Sequence, residues 1–476
     1  MKRLAVVAGV MVLALAAATV AGAFDNTEPL AAKQWYLPLD AAWDFWPTVP
    51  ELYPVKVAIV DSGIDRGHPE FAGRIAGGRS FVKGPWSVDD DGHGTFVAGE
   101  IAADAFNGIG IAGLAFNAQL LIAKAANPDG SVSLRGEVAA IRWAADQGAR
   151  VINLSLGGVR DPLNPRLDLY SPLEQAAVDY AYAKGAVVVA AVGNGTQSPA
   201  TPWPFAHYPA ALPHVIGVSA IRRDSTVPAY SNRDTVYNDI AAPGDDIFST
   251  IPRNLLSSDP SCMDEPYSDC GPRVFRGAIG TSFAAPQVAA AAALLIGQDP
   301  KLVPQQVMWL LERTATDIGP PGRDRFSGWG RLDVRAALER LTSGEPLPPH
   351  DAYEPNDDAG PWAHALPPLP RTIEATLDFW DDDVDVYRIH LNAGQRLFAH
   401  LAPGPARVPL ALWKPGTLHV EGLHAPIGNR VATSERVGGQ SRLDYRAVEP
   451  GTYYLEAKLL TPSRDIVQYT LSVAKQ

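Results

Sequence analysis

The chain has 476 residues, of which 46% are hydrophobic and 19% are charged, a composition typical of globular proteins that form a core. This length is sufficient for one large domain and a smaller second one, so we expect two domains. The formal net charge of −12 argues against nucleic acid or an anionic membrane surface as the main partner, because like charges repel.

Residues 1–23 have the pattern of a secretory signal. Two basic residues precede an apolar stretch that ends near Val20, and Ala21-Gly22-Ala23 matches the small-x-small pattern of a cleavage site. We therefore expect a mature chain that begins at Phe24, a secreted and extracellular protein, and no membrane contact after cleavage. A retained membrane anchor is the alternative interpretation.

Buried strands and amphipathic helices alternate along the first part of the chain. The apolar runs at 55–63, 149–158 and 186–195 each end in polar or glycine-rich turns, as strands of a buried sheet do. Segments 133–149 and 171–186 between them have helical apolar spacing. This alternation predicts an α/β fold in which helices cover both faces of a parallel sheet. Catalysis in such folds occurs at the carboxyl ends of the strands.

Cys262 and Cys270 are the two cysteines of the chain. In an exported protein such a pair most simply forms a disulfide that closes a small loop. Two free thiols are the alternative in a reducing compartment.

The composition changes after residue 340. A proline-rich linker occupies 341–352, and the following residues have the short alternating runs of β structure, such as "DVDVYRIHL" and "GTYYLEAKL". We expect a first domain over 24–340 and a β-sandwich domain over 353–476.

Polar residues at strand ends and helix starts converge on one edge of the predicted sheet. Asp61 and Asn194 follow buried strands, while His93 and Ser282 lie at the starts of helices. A serine hydroxyl becomes a nucleophile when an imidazole accepts its proton and a carboxylate holds that imidazole. An amide donor such as that of Asn194, together with the free N–H groups at a helix start, can bind the oxyanion.

Each of these residues also has a structural interpretation. Ser282 alone is a good helix N-cap, Asp61 and Asn194 are plausible turn residues, and His93 alone could be a packed core histidine. Their occurrence together favours catalysis.

The segments that carry these residues resemble those of the subtilisin-like serine proteases, in particular the thermitase branch. The matching motifs are "VAIVDSGID", "DGHGTFVAGEIAA", "WAADQGARVINLSLGG", "VVAAVGNG" and "GTSFAAPQVA", in the family's order of Asp, His and Ser, over roughly residues 30–340. Ala284 excludes the G-x-S-x-G motif of α/β-hydrolases.

The resemblance implies a secreted serine endopeptidase that hydrolyses peptide bonds through an acyl-enzyme. It implies that Ser282 attacks the scissile carbonyl, His93 transfers the proton and Asp61 orients His93. It further implies that Asn194 donates to the oxyanion.

The resemblance also implies how a substrate binds. A protein or peptide substrate in extended conformation would add as a strand between two edges. One edge is Ser155-Leu156-Gly157, and the other contains Gly130, near which Val132 stands where glycine is common. The resemblance places His207 near the floor of the primary specificity pocket, with an exposed loop histidine as the alternative.

A structural calcium ion is a further implication. The loop 103–113 resembles the family's calcium loop, with Asn107 and the backbone of Ile109 and Ile111 as ligands, and with Glu70 where aspartate is usual. The alternative is a tight loop without an ion. We interpret the aspartate runs at 89–91 and 381–383 as solvated turns, with metal sites as the alternative, and expect Asp91 to help to orient the loop of His93.

The C-terminal part, with "YEPNDD" and "DDDVDVYRIHLNAGQRL", resembles the bacterial pre-peptidase C-terminal domain. That resemblance implies a role in secretion, adhesion or substrate binding. We expect a monomer. A secreted binding protein that has kept a protease fold without turnover is the competing function, and a narrow processing protease is the alternative to a broad endopeptidase.

Overall fold

The structure is a computed structural model that describes residues 24, 26–255, 275–349, 351–379, 382–403, 408–420, 425, 427–460 and 466–476. The signal segment 1–23 and the pair Cys262 and Cys270 lie outside the described residues. Cleavage of the signal and the disulfide therefore stay predictions.

The helices of the described residues are α1 (Tyr36–Leu39), α2 (His93–Ala102), α3 (Leu134–Asp146), α4 (Pro172–Ala183), α5 (Thr281–Gln298), α6 (Pro304–Arg313) and α7 (Val334–Thr342). Short 3₁₀ turns occupy Ala31–Lys33, Pro69–Phe71, Gly195–Gln197 and Ile427–Asn429. The strands of the first domain are β1 (Val55–Asp61), β2 (Ile75–Ser80), β3 (Ala118–Lys124), β4 (Val151–Leu154), β5 (Val187–Ala191), β6 (Val215–Ile221), β7 (Ile240–Pro243), β8 (Ile247–Thr250) and β9 (Phe275–Ala278).

The remaining strands are β10 (His364–Ala365), β11 (Arg371–Leu377), β12 (Val384–Leu391), β13 (Arg396–Pro403), β14 (Leu410–Trp413), β15 (Arg430–Thr433), β16 (Glu435–Val437), β17 (Gln440–Arg446), β18 (Gly451–Lys458) and β19 (Val467–Lys475).

A seven-stranded parallel sheet forms the centre of the first domain, in the order β2-β3-β1-β4-β5-β6-β7. Strand β1 lies between β3 and β4 and aligns Ile59 with Ile122 of β3 and with Asn153 of β4. Asp61, the last residue of β1, therefore lies at the carboxyl edge of the sheet. The predicted α/β architecture is confirmed.

Helices cover both faces of this sheet, as the sequence predicts. Ile141 of α3 and Val178 of α4 pack against one face in a core cluster that includes Ile152 of β4. On the other face, α2 and α5 pack together in a second cluster. Helix α5 is buried along nearly its whole length because it lies between the sheet and other helices. This position explains why its sequence is apolar on all sides.

The second domain consists of two five-stranded β-sheets, in the orders β10-β12-β18-β14-β15 and β11-β19-β13-β17-β16. Apart from the parallel pair β10–β12, the strand pairs are antiparallel. Alternate residues such as Ile373, Leu401 and Leu471 form its core. The expected all-β fold is confirmed, while the exact domain boundaries stay predictions. Within the described part of the chain, no helix has the length and apolar character needed to cross a membrane.

Candidate active site

A carboxylate and an imidazole meet at the carboxyl edge of the sheet. Asp61 ends β1 and its side chain is buried, and His93 is the first residue of α2. The Nδ1 atom of His93 lies 2.9 Å from each carboxylate oxygen of Asp61. This contact fixes the ring orientation and directs Nε2 away from Asp61.

The start of α2 is held by Asp89. One carboxylate oxygen accepts hydrogen bonds from the backbone N–H of Thr95 at 2.8 Å and from its hydroxyl at 2.6 Å, and the other accepts from the N–H of Gly92 at 2.9 Å. Asp89 is 0% exposed, so the expectation that 89–91 forms a solvated turn is wrong for this residue. Asp91 accepts from the N–H of His93 at 3.1 Å, in agreement with the orienting role expected of it.

Ser62 joins these parts, and sequence reasoning missed it. Its N–H donates to Asp61 at 2.7 Å, its hydroxyl donates to Asp89 at 2.8 Å, and the same hydroxyl accepts from the N–H of Gly94 at 2.9 Å. A Cβ at position 94 would lie 2.3 Å from the carbonyl oxygen of Gly63. Glycine at this position therefore lets α2 approach β1 closely enough for these contacts.

Ser282 is the second residue of α5, and its backbone is tied to β4. The hydroxyl of Ser155 donates to the carbonyl oxygen of Ser282 at 2.7 Å and accepts from the side-chain amide of Asn153 at 2.9 Å. Ser155, predicted only as part of a substrate edge, thus also positions the residue predicted as the nucleophile.

Asn194 is fixed by Thr281 at the start of α5. Its Oδ1 accepts from the backbone N–H of Thr281 at 3.0 Å and from the hydroxyl of Thr281 at 3.2 Å. Because the amide oxygen is occupied in this way, the amide nitrogen points to the other side. A donor of fixed orientation is what an oxyanion site requires.

The residues predicted for catalysis and for substrate binding line one cleft with a volume of about 900 Å³. This set comprises Asp61, His93, Asn194, Ser282, Gly130, Ser155, Leu156, Gly157 and His207. Val132 also lines the cleft, next to the predicted edge at Gly130. The tertiary structure therefore brings together residues that are more than two hundred positions apart along the chain.

His207 is buried, with 2% of its surface exposed, so the alternative of an exposed loop histidine is wrong. Its Nε2 lies 2.8 Å from the hydroxyl oxygen of Ser198. Burial lowers the pKa of His207 to about 4. The imidazole of His207 is therefore uncharged at neutral pH.

Phe283 follows Ser282 and packs against the imidazole of His93. The two ring centroids are 5.4 Å apart. The ring of Phe96, which belongs to α2, also contacts Phe283, with centroids 4.5 Å apart. An aromatic side chain thus supports His93 from α5.

The loop predicted to bind calcium closes around Glu70. This carboxylate is fully buried and accepts from the N–H of Ile111 at 3.0 Å and from the side-chain amide of Asn107 at 2.9 Å. Burial raises the pKa of Glu70 to about 7. The Oδ1 atom of Asn107 accepts from the N–H of Ile109 at 2.7 Å.

Glu28 is a further carboxylate at this loop that sequence reasoning missed. One of its oxygens accepts from the N–H of Gly108 at 3.2 Å. The other is buried and has no hydrogen-bond partner among the described residues. Carboxylate, amide and carbonyl oxygens are the ligands that Ca²⁺ prefers, and a buried orphan oxygen is an available one. The residues present therefore fit a calcium ion.

Among the described residues, two other groups of side chains have ligand atoms close enough to hold a metal ion. They are the group Asp179, His214 and Asp357 and the group Glu354, Asp382 and Asp385. Asp382 is 0% exposed, so the interpretation of 381–383 as a solvated turn is wrong for this residue. Its carboxylate lies close to that of Glu354, a contact between separate segments that periodicity in the sequence does not reveal.

Comparisons with known proteins identify the class of this protein as a serine protease. Residues 54–330 match the Subtilase family. Thermitase of Thermoactinomyces vulgaris is 35% identical over 300 residues, which cover 63% of this chain and 92% of thermitase. A thermophilic serine proteinase of Bacillus sp. (strain AK1) is 35% identical over 284 residues, which cover 60% of this chain. Those residues span 61% of the length of that proteinase.

Among solved structures, a lanthipeptide protease aligns with a TM-score of 0.54 and 26% sequence identity, and the alignment covers 65% of this chain and 94% of that protein. The matched segment contains the parallel sheet and the cleft described above. The chain belongs to the subtilase family of serine proteases.

Proposed function

We propose that this protein is a secreted serine endopeptidase that cleaves peptide bonds through an acyl-enzyme. The observation that carries the proposal is the contact of His93 Nδ1 with both oxygens of buried Asp61, 2.9 Å each, in the cleft that Ser282 also lines.

In the proposed mechanism Ser282 attacks the scissile carbonyl carbon while Nε2 of His93 accepts its hydroxyl proton. Asp61 keeps the other ring proton on Nδ1 and stabilises the imidazolium that forms. His93 then donates the proton to the leaving amine. Water attacks the acyl-enzyme in the second half of the reaction with the same two residues in the same roles.

The negative oxygen of the tetrahedral intermediate is stabilised by Asn194 and by the N-terminus of α5. The amide oxygen of Asn194 is held by Thr281, so its NH₂ group is oriented before the charge develops. Donors that need no reorganisation during the reaction contribute most to catalysis of this kind.

The substrate is a peptide in extended conformation. Ser155, Leu156, Gly157 and Gly130 all line the cleft, which supports a substrate that adds as a strand between these two segments. The neutral His207 in the same cleft favours uncharged polar or medium-sized side chains over large aromatic ones at the primary pocket.

A calcium ion held by Glu70, Asn107 and the carbonyls of Ile109 and Ile111, with Glu28 as an added ligand, would stabilise the loop 103–113 without taking part in the reaction. The pattern of residues 1–23 supports export.

The test is hydrolysis of casein by the purified mature chain, with and without a serine-directed phosphonate. We expect activity that is lost with one covalent adduct, located by mass mapping on Ser282. The variant Ser282→Ala should form no adduct and hydrolyse no casein while keeping its melting temperature. Folded, calcium-supplied protein that shows neither turnover nor an adduct would instead support a binding protein without activity.

A further inference from the structure

A buried histidine lies where the β domain contacts the first domain, which contains the parallel sheet and the cleft. His214 immediately precedes β6, and its side chain is 0% exposed. Its Nε2 lies 2.8 Å from a carboxylate oxygen of Asp357 and 3.5 Å from one of Glu354, both in the segment that leads into the β domain. The ring of Tyr182 stacks on the imidazole with centroids 3.9 Å apart.

Asp179 of α4 completes a group of three possible metal ligands. One ligand atom each of Asp179, His214 and Asp357 lies within 4.8 Å of the other two. Metal bonds to nitrogen and carboxylate oxygen are about 2.0–2.2 Å long, so modest side-chain rotation brings all three onto one ion. The side-chain amide of Gln175 donates to the Oδ1 atom of Asp179 at 2.5 Å, which fixes this carboxylate as outer partners of metal ligands do.

The charges of this region are unbalanced without a cation. The carboxylates of Asp179, Glu354 and Asp357 face one imidazole, and a protonated imidazole offsets only one negative charge. A divalent cation would offset two of the three charges and let His214 bind as a neutral ligand.

We propose that Asp179, His214 and Asp357 bind a divalent transition metal, for which Zn²⁺ is the probe, and that this ion fastens the β domain to the catalytic domain. An imidazole nitrogen among carboxylate ligands favours Zn²⁺ over Ca²⁺. Glu354 is the nearest additional carboxylate and can serve as a fourth ligand.

The site joins elements from two domains. Asp179 and His214 belong to the parallel-sheet domain, whereas Asp357 precedes the first strand of the β domain. Two other contacts between the domains are weaker than metal bonds. The rings of Tyr170 and His419 are 6.0 Å apart edge to face, and the side-chain amide of Gln305 donates to Asp378 at 3.1 Å. Bound metal would therefore resist separation of the domains.

The experiment uses the full chain carrying Ser282→Ala, which suppresses self-digestion and makes every readout independent of activity. The protein is treated with a chelator and supplied with excess Ca²⁺, which occupies oxygen-only sites, and is then titrated with Zn²⁺ in a calorimeter. We expect one tight site and a melting temperature that rises with Zn²⁺. Zn²⁺ should also slow the cleavage of the linker 341–352, which contains no lysine or arginine, by an added protease of broad specificity.

His214→Gln and Asp357→Asn should each weaken Zn²⁺ binding at least about 100-fold. Even the loss of a residue that only hydrogen-bonds to a metal ligand lowers metal affinity by about 10–100-fold. His419→Gln is the matched control. This histidine lies at the same interface, 2.7 Å from a carboxylate oxygen of Asp358, and its replacement should leave Zn²⁺ affinity unchanged.

The proposal is overturned if the folded parent binds no Zn²⁺, which would identify the group as a metal-free ion pair. It is also overturned if His214→Gln and Asp357→Asn bind Zn²⁺ as tightly as the parent. If His214→Gln does not fold, Asp357→Asn carries the test alone, because Asp357 is partly exposed and asparagine has nearly the same shape.

Discussion

The amide of Asn194 shows how one side chain is prepared by its neighbour. Both hydrogen bonds from Thr281 go to Oδ1, and they leave Nδ2 as the donor. Asn194→Asp keeps the acceptor for Thr281 but removes the donor, and in the proposed mechanism it adds a negative charge beside the developing oxyanion. We expect kcat to fall by about 10²–10³-fold or more, a magnitude known from loss of the corresponding donor in subtilisin.

Initial rates over a range of peptide concentrations measure this effect, with melting temperature as the control for folding. A loss confined to KM would show that Asn194 contributes to substrate binding rather than to the transition state.

Phe283 leads to a prediction about oxidation. Its ring contacts the imidazole of His93, and a phenyl ring cannot form a sulfoxide, whereas methionine can. We expect activity to survive mild peroxide, and Phe283→Met to become sensitive to it. Residual casein hydrolysis after a timed exposure measures the difference. Equal, rapid losses in both proteins, without chain cleavage, would contradict the prediction.

The sequence predicted residues whose type and local context carry the signal. Asp61 follows an apolar strand, and Ser282 opens an apolar helix. It did not predict Ser62 or Glu28, because serine and glutamate are common everywhere. Their roles depend on Asp89 and on Gly108, contacts across 27 and 80 positions of the chain.

At the scale of elements, caps and glycines explain where helices begin. Ser133 accepts from the N–H of Gly136 at 3.1 Å and starts α3, and Ser171 accepts from the N–H of Leu173 at 3.3 Å and starts α4. Both helices begin one residue after the start of the predicted segments and end three residues before the predicted ends. Helix ends are less specified than starts, because the last turn competes with turn conformations.

Helices α3 and α4 each contribute one glutamate to a buried pair of carboxyl groups, and this pair makes the stability of the fold depend on pH. Glu137 and Glu174 are both buried. Burial raises the pKa of Glu137 to about 7, and burial together with the charge of Glu137 raises the pKa of Glu174 to about 10. Because the unfolded pKa of glutamate is about 4.3, this pair stabilises the fold fully below that pH. The stabilisation is lost as the pH rises through the folded values.

Glu174→Gln should therefore raise the melting temperature at pH 8 and leave it nearly unchanged at pH 4.5. One pKa unit corresponds to about 1.4 kcal/mol, and we expect a gain of at least that size at pH 8. Thermal unfolding of the Ser282→Ala protein at both pH values measures it. Glu339→Gln, at an exposed position of α7 paired with Arg335, is the control and should show no such pH dependence.

At the scale of the whole molecule, we expect calcium bound at the loop 103–113 to raise the melting temperature of the protein. Removing calcium from the Ser282→Ala protein with a chelator should lower the melting temperature. A ligand at 100 times its Kd stabilises the folded state by about 2.7 kcal/mol. Glu70→Gln should reduce the calcium-dependent shift because it removes a charged ligand, whereas Asp224→Asn, in an exposed turn, should not. An undiminished shift in Glu70→Gln would place the calcium effect elsewhere.

The sequence by itself determined the α/β class, the β domain and the residues of the cleft. These features depend on local periodicity, on turn residues and on short motifs, all of which are written along the chain. Only the tertiary structure decided which carboxylates are buried, such as Asp89, Asp382 and the pair Glu137 and Glu174. Only it placed His214 against Asp357. The physical reason is that burial and charge pairing depend on atoms from distant segments, and an acidic residue has the same letter whether it faces water or a core.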